Sequence, residues 1–249
     1  MQTYTIHPIV MGTKVFDKGM MTYQHDYGTP YTIPIYCWYI KGGDQNILVD
    51  TGEMMPIISE EREQAIGGKI YTFEAGLARH GLTPQKIDII LHTHLHNDHC
   101  ENDYKCPNAA IYVHRAELAH IHDPHPLDFR YLEDYIEDVE ANGQLILLED
   151  DTEILPGIRM IHTPAHTAGG MSIRVETDKG SALICGFCTI LENLDPPPAI
   201  RAMEMEVIPP GTHLNAHQAY DILLASKQLA DHLLPLHEPR WASMDSVPK

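Results

Sequence analysis

The segment Leu91-His92-Thr93-His94-Leu95-His96-Asn97-Asp98-His99 constrains this chain more than any other, because four histidines and a carboxylate stand directly behind a short apolar run at residues 86–91. A run of that length, bounded by polar residues, reads as a buried strand. In an extended or looping chain, His94 and His96 project to the same side, so both imidazoles can hold one cation. Asp98 and His99 follow where the chain must turn into the next helix, and they can enter the same cavity from the other direction. These donors suffice for two metals roughly 3.5–4 Å apart, a spacing that lets a pair of ions bridge a hydroxide and clamp a reacting oxygen. A histidine-rich surface loop is the bland alternative, and the order of the donors behind a buried strand argues against it. His92, nearest the strand, is expected in the core or behind the ligands.

The rest of the chain supplies the frame. Residues 31–40 are rich in β-branched and aromatic side chains, Gly42-Gly43-Asp44-Gln45-Asn46 is a turn, and Ile47-Leu48-Val49 is apolar, so this stretch predicts a hairpin ending at Asp50-Thr51-Gly52. Residues 60–80 have helical character, closed by Gly81 and Pro84. Further strands are expected at 109–113, 145–148, 158–162, 171–176 and 181–185, with a helix starting at 115–120 and another around 132–140. Residues 216–232 form the clearest amphipathic helix, and a short apolar piece, 233–236, delivers His237. Strands with interleaved helices, no repeat and no flexible linker suit one α/β domain over residues 1–249 with helices outside two sheets. Residues 123–144 read as an insertion that caps the site or meets a partner chain; a homodimer is compatible with either.

Composition narrows the partners. With 35 acidic against 17 basic residues the formal net charge is −18, which repels nucleic-acid phosphates and anionic lipid headgroups, so neither is expected as a partner and a small-molecule substrate is. No stretch approaches the ~20 apolar residues of a membrane-spanning helix, and the first residues carry no signal-peptide pattern. The cysteines, Cys37, Cys100, Cys106, Cys185 and Cys188, are odd in number and scattered, which fits free thiols and a cytoplasmic location better than a disulfide framework.

His94-x-His96-x-Asp98-His99 resembles the signature of the metallo-β-lactamase superfamily, and the resemblance runs through most of the chain. Ile47-Leu48-Val49-Asp50-Thr51-Gly52 is similar to the superfamily's early strand, whose Asp supports the metal shell. His162-Thr163-Pro164-Ala165-His166-Thr167-Ala168-Gly169 is similar to its next ligand motif, and His237 stands where the last histidine is found. The hairpin over 33–50, Pro209-Pro210-Gly211-Thr212-His213 and the short C-terminal end look most like the N-acyl-homoserine lactonase branch. The resemblance implies a four-layer αββα sandwich with two zinc ions, iron or manganese being alternatives. It places one ion on His94, His96 and His166 and the other on Asp98, His99 and His237. It further implies a metal-bound hydroxide that opens a cyclic ester, with Asp98 as the proton shuttle.

One departure from the family pattern is visible. A bridging Asp is usual in a Gly-Asp pattern between the third and last histidines, and this chain reads Leu183-Ile184-Cys185-Gly186-Phe187-Cys188-Thr189 there. Cys188 is the nearest candidate ligand, and some true β-lactamases of the superfamily carry Cys in this slot. A thiolate is a good zinc ligand and would favour zinc over manganese; a buried core thiol is the competing reading. Two other functions stay open: a cyclic amide or β-lactam hydrolase, and a metal-binding redox or sensor protein with little turnover, suggested by Cys185-x-x-Cys188. His114, His120, His122 and His125 are expected on a solvated face, with His122 or His125 reaching toward the cavity mouth. Met11, Met20, Met21, Met54 and Met55 are candidates for an apolar groove or for core filler.

Overall fold

The architecture follows from alternation along the central strands. The computed structural model describes residues 2–249. One sheet contains β1 (Thr5–Asp17), β2 (Pro30–Lys41), β3 (Ile47–Val49), β4 (Ile89–Leu91), β5 (Ala110–His114) and β6 (Leu145–Leu148) in that spatial order. β2 runs antiparallel to its neighbours β1 and β3, whereas β3 through β6 are parallel. The other sheet contains β7 (Thr152–Leu155), β8 (Ile158–His162), β9 (Met171–Thr177), β10 (Gly180–Ile184) and β11 (His232–Leu234), antiparallel except for the parallel pair β10–β11.

Successive side chains of a strand point to opposite faces. Trp38, Ile47, Val49, Ile89 and Leu91 of the first sheet therefore meet Met160, Ile173, Val175, Ala182 and Ile184 of the second in one shared core. Cys37, Tyr39, Leu48 and Ile90, one position out of phase, pack beneath Phe73, Leu77, Ile121, Ile136 and Val139 of the flanking helices. On the far side, Ile161 and Leu183 of the second sheet pack against Ala219 and Leu223 of the helix Ala216–Ser226. Helices, sheet, sheet and helices make the four layers.

Three sequence expectations need correction. The helix expected over 60–80 is two short helices, Glu60–Ile66 and Phe73–Ala78, because Gly67 takes φ 65° and caps the first. The last amphipathic helix stops at Ser226, and the chain turns before β11. β1 and β7 were not anticipated. In the 123–144 segment only Glu137–Ala141 is α-helical, with a 3-10 turn at Glu133–Tyr135; Ile136 and Val139 seal the first sheet, and residues 127–131 stand over the site. Among the described residues no helix is long and apolar enough to cross a membrane.

Candidate metal centre

All the ligand candidates lie on turns at one edge of the sandwich. β4 ends at Leu91, and His94 and His96 occupy the loop behind it; Asp98 and His99 sit on the short helix Asn97–Cys100. His166 belongs to the β8–β9 loop and His237 to the turn after β11. The loop 50–52 braces this edge. Asp50 adopts φ 55°, a left-handed conformation that Asp tolerates, and turns its carboxylate toward the ligands. Gly52 has φ 72°, and a Cβ there would lie 2.3 Å from Met11 Cβ, so only glycine fits. Thr51 N–H donates to the His99 carbonyl at 2.7 Å, tying the loop to the ligand helix.

The donor atoms of His94, His96 and His166 lie within 4.8 Å of one another, and so do those of Asp98, His99 and His237; all six residues are buried. Metal–nitrogen bonds of about 2.0–2.1 Å match donors gathered this closely. Metal-bound imidazoles are committed from behind, and His94, His99, His166 and His237 are so held. His94 Nδ1 contacts Thr93 Oγ1 at 3.0 Å, and that hydroxyl donates to Asp50 Oδ2 at 2.7 Å. His99 Nδ1 lies 2.8 Å from Asp50 Oδ2, His166 Nδ1 donates to the Thr212 carbonyl, and His237 Nδ1 donates to the Pro34 carbonyl at 3.0 Å. His94 Nε2 is buried without any hydrogen-bond partner. A buried polar atom left bare is costly in a core and apt for a metal. The residues fit a pair of transition-metal ions.

Electrostatics point the same way. Burial, reinforced by the neighbouring imidazoles, lowers the pKa of His94 well below its ordinary value, and burial likewise lowers His96 and His166. Neutral imidazole is the form that ligates. Burial would raise Asp98, but His99 and Lys14 outweigh it and keep that carboxylate ionised. His92 is fully enclosed between Asp103 (2.7 Å) and Asp50 (3.4 Å). Burial opposes its charge, yet the two carboxylates raise its pKa to about 10. It is thus a buried cation behind the site rather than a ligand.

The two triads open into a cavity of about 360 Å³, with Phe16, Met20, Ile33, Leu127, Phe129 and Leu214 as apolar wall and Lys14, Arg130 and His213 as polar wall. A larger groove of about 560 Å³ beside Gly67, Gly68 and Asp245 contains none of these ligands. Cys188 borders the ligand cavity but belongs to neither triad; its Sγ rests 3.8 Å from Met21 Sδ in an apolar cluster with Ile33, Ile35 and Ile190. Cys185 is enclosed, with burial raising its thiol to about 12. Among the described residues every cysteine is free and buried.

Several contributors were not legible beforehand. Lys14 Nζ stands 3.7 Å from Asp98 Oδ2. Glu117 is fully buried and accepts from Leu95 N–H (2.9 Å), Gly169 N–H (3.0 Å) and Tyr131 O–H (2.8 Å), joining the His94–His96 loop to the His166 loop. Of the lower-ranked histidines, His114 is buried against His162, their rings parallel at 4.3 Å, contrary to the solvated face expected. His122 is paired with Glu133 on the surface, while His120 and His125 line an adjoining cavity of about 390 Å³. Met20 lines the site, Met11 and Met21 are core, and Met55 is 79% exposed.

A family model described as the metallo-beta-lactamase superfamily matches residues 31–225. The chain belongs to the metallo-β-lactamase superfamily. Within that superfamily it is 26% identical over 189 residues to an N-acyl homoserine lactonase of Bacillus cereus, a match covering 70% of each protein. In three dimensions it is similar to an N-acyl homoserine lactone hydrolase with the product N-hexanoyl-L-homoserine at its catalytic metal centre, with a TM-score of 0.74, 21% identity, and coverage of 96% and 94% of the two chains. A dizinc quorum-quenching lactonase superposes with a TM-score of 0.67 at 14% identity, covering 99% of this chain and 94% of its own.

Proposed function

We propose that this superfamily member is a zinc-dependent hydrolase that opens a cyclic ester carrying an apolar substituent. The observation that carries this reading is the pair of convergent triads, with His94, His99, His166 and His237 committed from behind, at the floor of a cavity whose outer wall is apolar. The similarity to an N-acyl homoserine lactonase supports the choice of a lactone.

When bound, the metals supply Lewis acidity, polarising a carbonyl oxygen and bringing the pKa of water from 15.7 towards about 7. The protein's own groups do the rest. Phe16, Met20 and Leu214 face the cavity and can bind the apolar part of the substrate, holding the ring against the triads. Asp98, ionised and hydrogen-bond competent at the cavity floor, receives a proton from the attacking water and delivers it to the leaving alkoxide. Lys14, 3.7 Å from that carboxylate, keeps it oriented. The cytoplasmic location belongs to the same proposal and is supported by the five free thiols.

The test is a panel of acyl lactones and cyclic amides offered to the zinc-loaded protein, with acid release followed titrimetrically. Lactone opening that His94→Ala abolishes is the expected result. Opening of the amides alone would replace the proposal with an amidase, and inertness toward both would end it.

A further inference from the structure

The His96 ring lies against residues 127–131, a segment that contributes no residue to either triad. Its Nε2 lies 3.2 Å from Asp128 Oδ1, although the two are not aligned as a regular hydrogen bond, and it has no other partner. Asp128 itself belongs to neither triad. Arg130 holds the same oxygen through Nε at 2.8 Å and an Nη2 contact at 2.7 Å. The segment is fastened to the ligand loop in three further places. The Arg130 carbonyl accepts from Asn97 N–H at 2.9 Å, the Tyr131 ring lies on His96 with centroids 4.6 Å apart, and Tyr131 O–H reaches Glu117, which also holds Leu95 N–H.

We infer that Asp128 is a positioning residue for the first metal: with His96 ligating through Nδ1, the Asp128 carboxylate fixes the ring from Nε2 and thereby joins residues 127–131 to metal binding. A carboxylate behind a metal-bound imidazole sets its tautomer and orientation and strengthens it as a donor, and loss of such a partner typically weakens metal binding about 10–100-fold. The same segment carries Leu127 and Phe129 to the cavity wall, so metal affinity and the shape of the substrate wall depend on one short stretch of chain. The inference rests on His94, His96 and His166 holding a metal, and zinc binding by the wild type reports on that separately.

The experiment is zinc competition against a chromophoric chelator, resolving both sites, on wild type, Asp128→Ala, Asp128→Asn and the surface control Glu133→Gln, together with the visible spectra of the cobalt-substituted proteins. Asp128→Ala should weaken the first site about 10–100-fold, leave the second site unchanged and alter the cobalt bands. Asp128→Asn keeps an acceptor oxygen and the packing of the loop, so it should recover most of the affinity; if the alanine variant does not fold, a first-site loss in the asparagine variant carries the test. Glu133→Gln should match wild type. First-site affinity and cobalt bands unchanged in both Asp128 variants would overturn the inference, as would equal weakening of both sites.

Discussion

The carboxylate of Asp50 lies 2.8 Å from His99 Nδ1 and braces that ring from behind, leaving Nε2 on the side of Asp98, 3.7 Å away. The same carboxylate takes the Thr93 hydroxyl that supports His94, so one buried group braces a histidine of each triad. Burial would raise its pKa, but His99 and His92 bring it to about 2. Asp50→Asn keeps the volume and removes the charge beside His92. It should destabilise the fold by about 3–5 kcal/mol, the cost of breaking a buried ion pair, and weaken zinc binding about 10–100-fold. Denaturant unfolding and zinc competition check the two effects.

Glu53 gives a pH signature. Burial raises its pKa from 4.5 to about 7 despite Lys14 at 4.0 Å. A raised carboxylate pKa means that this group binds more protons in the native than in the unfolded state between those values, so its contribution to stability falls as pH rises through this window and then levels off. Glu53→Gln should remove that contribution. The variant should match wild type near pH 4 and exceed it above pH 7, by at most on the order of 3 kcal/mol. Urea unfolding of metal-free protein across this range is the measurement; parallel curves would contradict the assignment.

Lys14 places a cation 3.7 Å from the only carboxylate of the second triad. An ammonium there opposes a dication and competes for Asp98. Lys14→Met should tighten zinc at the second site and leave the first nearly unchanged, read by site-resolved competition. A weaker second site would show that Lys14 assists metal binding instead.

Cys188 fills an apolar niche against Met21 and Ile33. Cys188→Ser should keep every zinc equivalent that the wild type holds and cost about 1–3 kcal/mol for an unsatisfied buried hydroxyl. Elemental analysis showing one equivalent lost would return the thiol to the ligand set.

Where a single local pattern determined the structure, the sequence was readable. The apolar run before His94 is β4, the hairpin ends at Asp50, and the ordered ligand motifs lie at one edge because each follows a strand. β1 carries Pro8 and Gly12, residues that obscure a strand pattern in sequence. In the structure it is an edge strand, where proline is tolerated, and its register shifts between Val10 and Gly12. Lys14 was hidden with it; two positions before Phe16, it shares a face of β1 with that ring, and both reach the cavity. Glu117, Asp128 and Arg130 left no local trace, since their roles come from contacts with loops distant in sequence.

The most direct test is zinc per chain, by elemental analysis, for wild type and His237→Ala. The two-triad centre predicts two equivalents falling to one. Two equivalents retained in the variant, or one or none in the wild type, would contradict it.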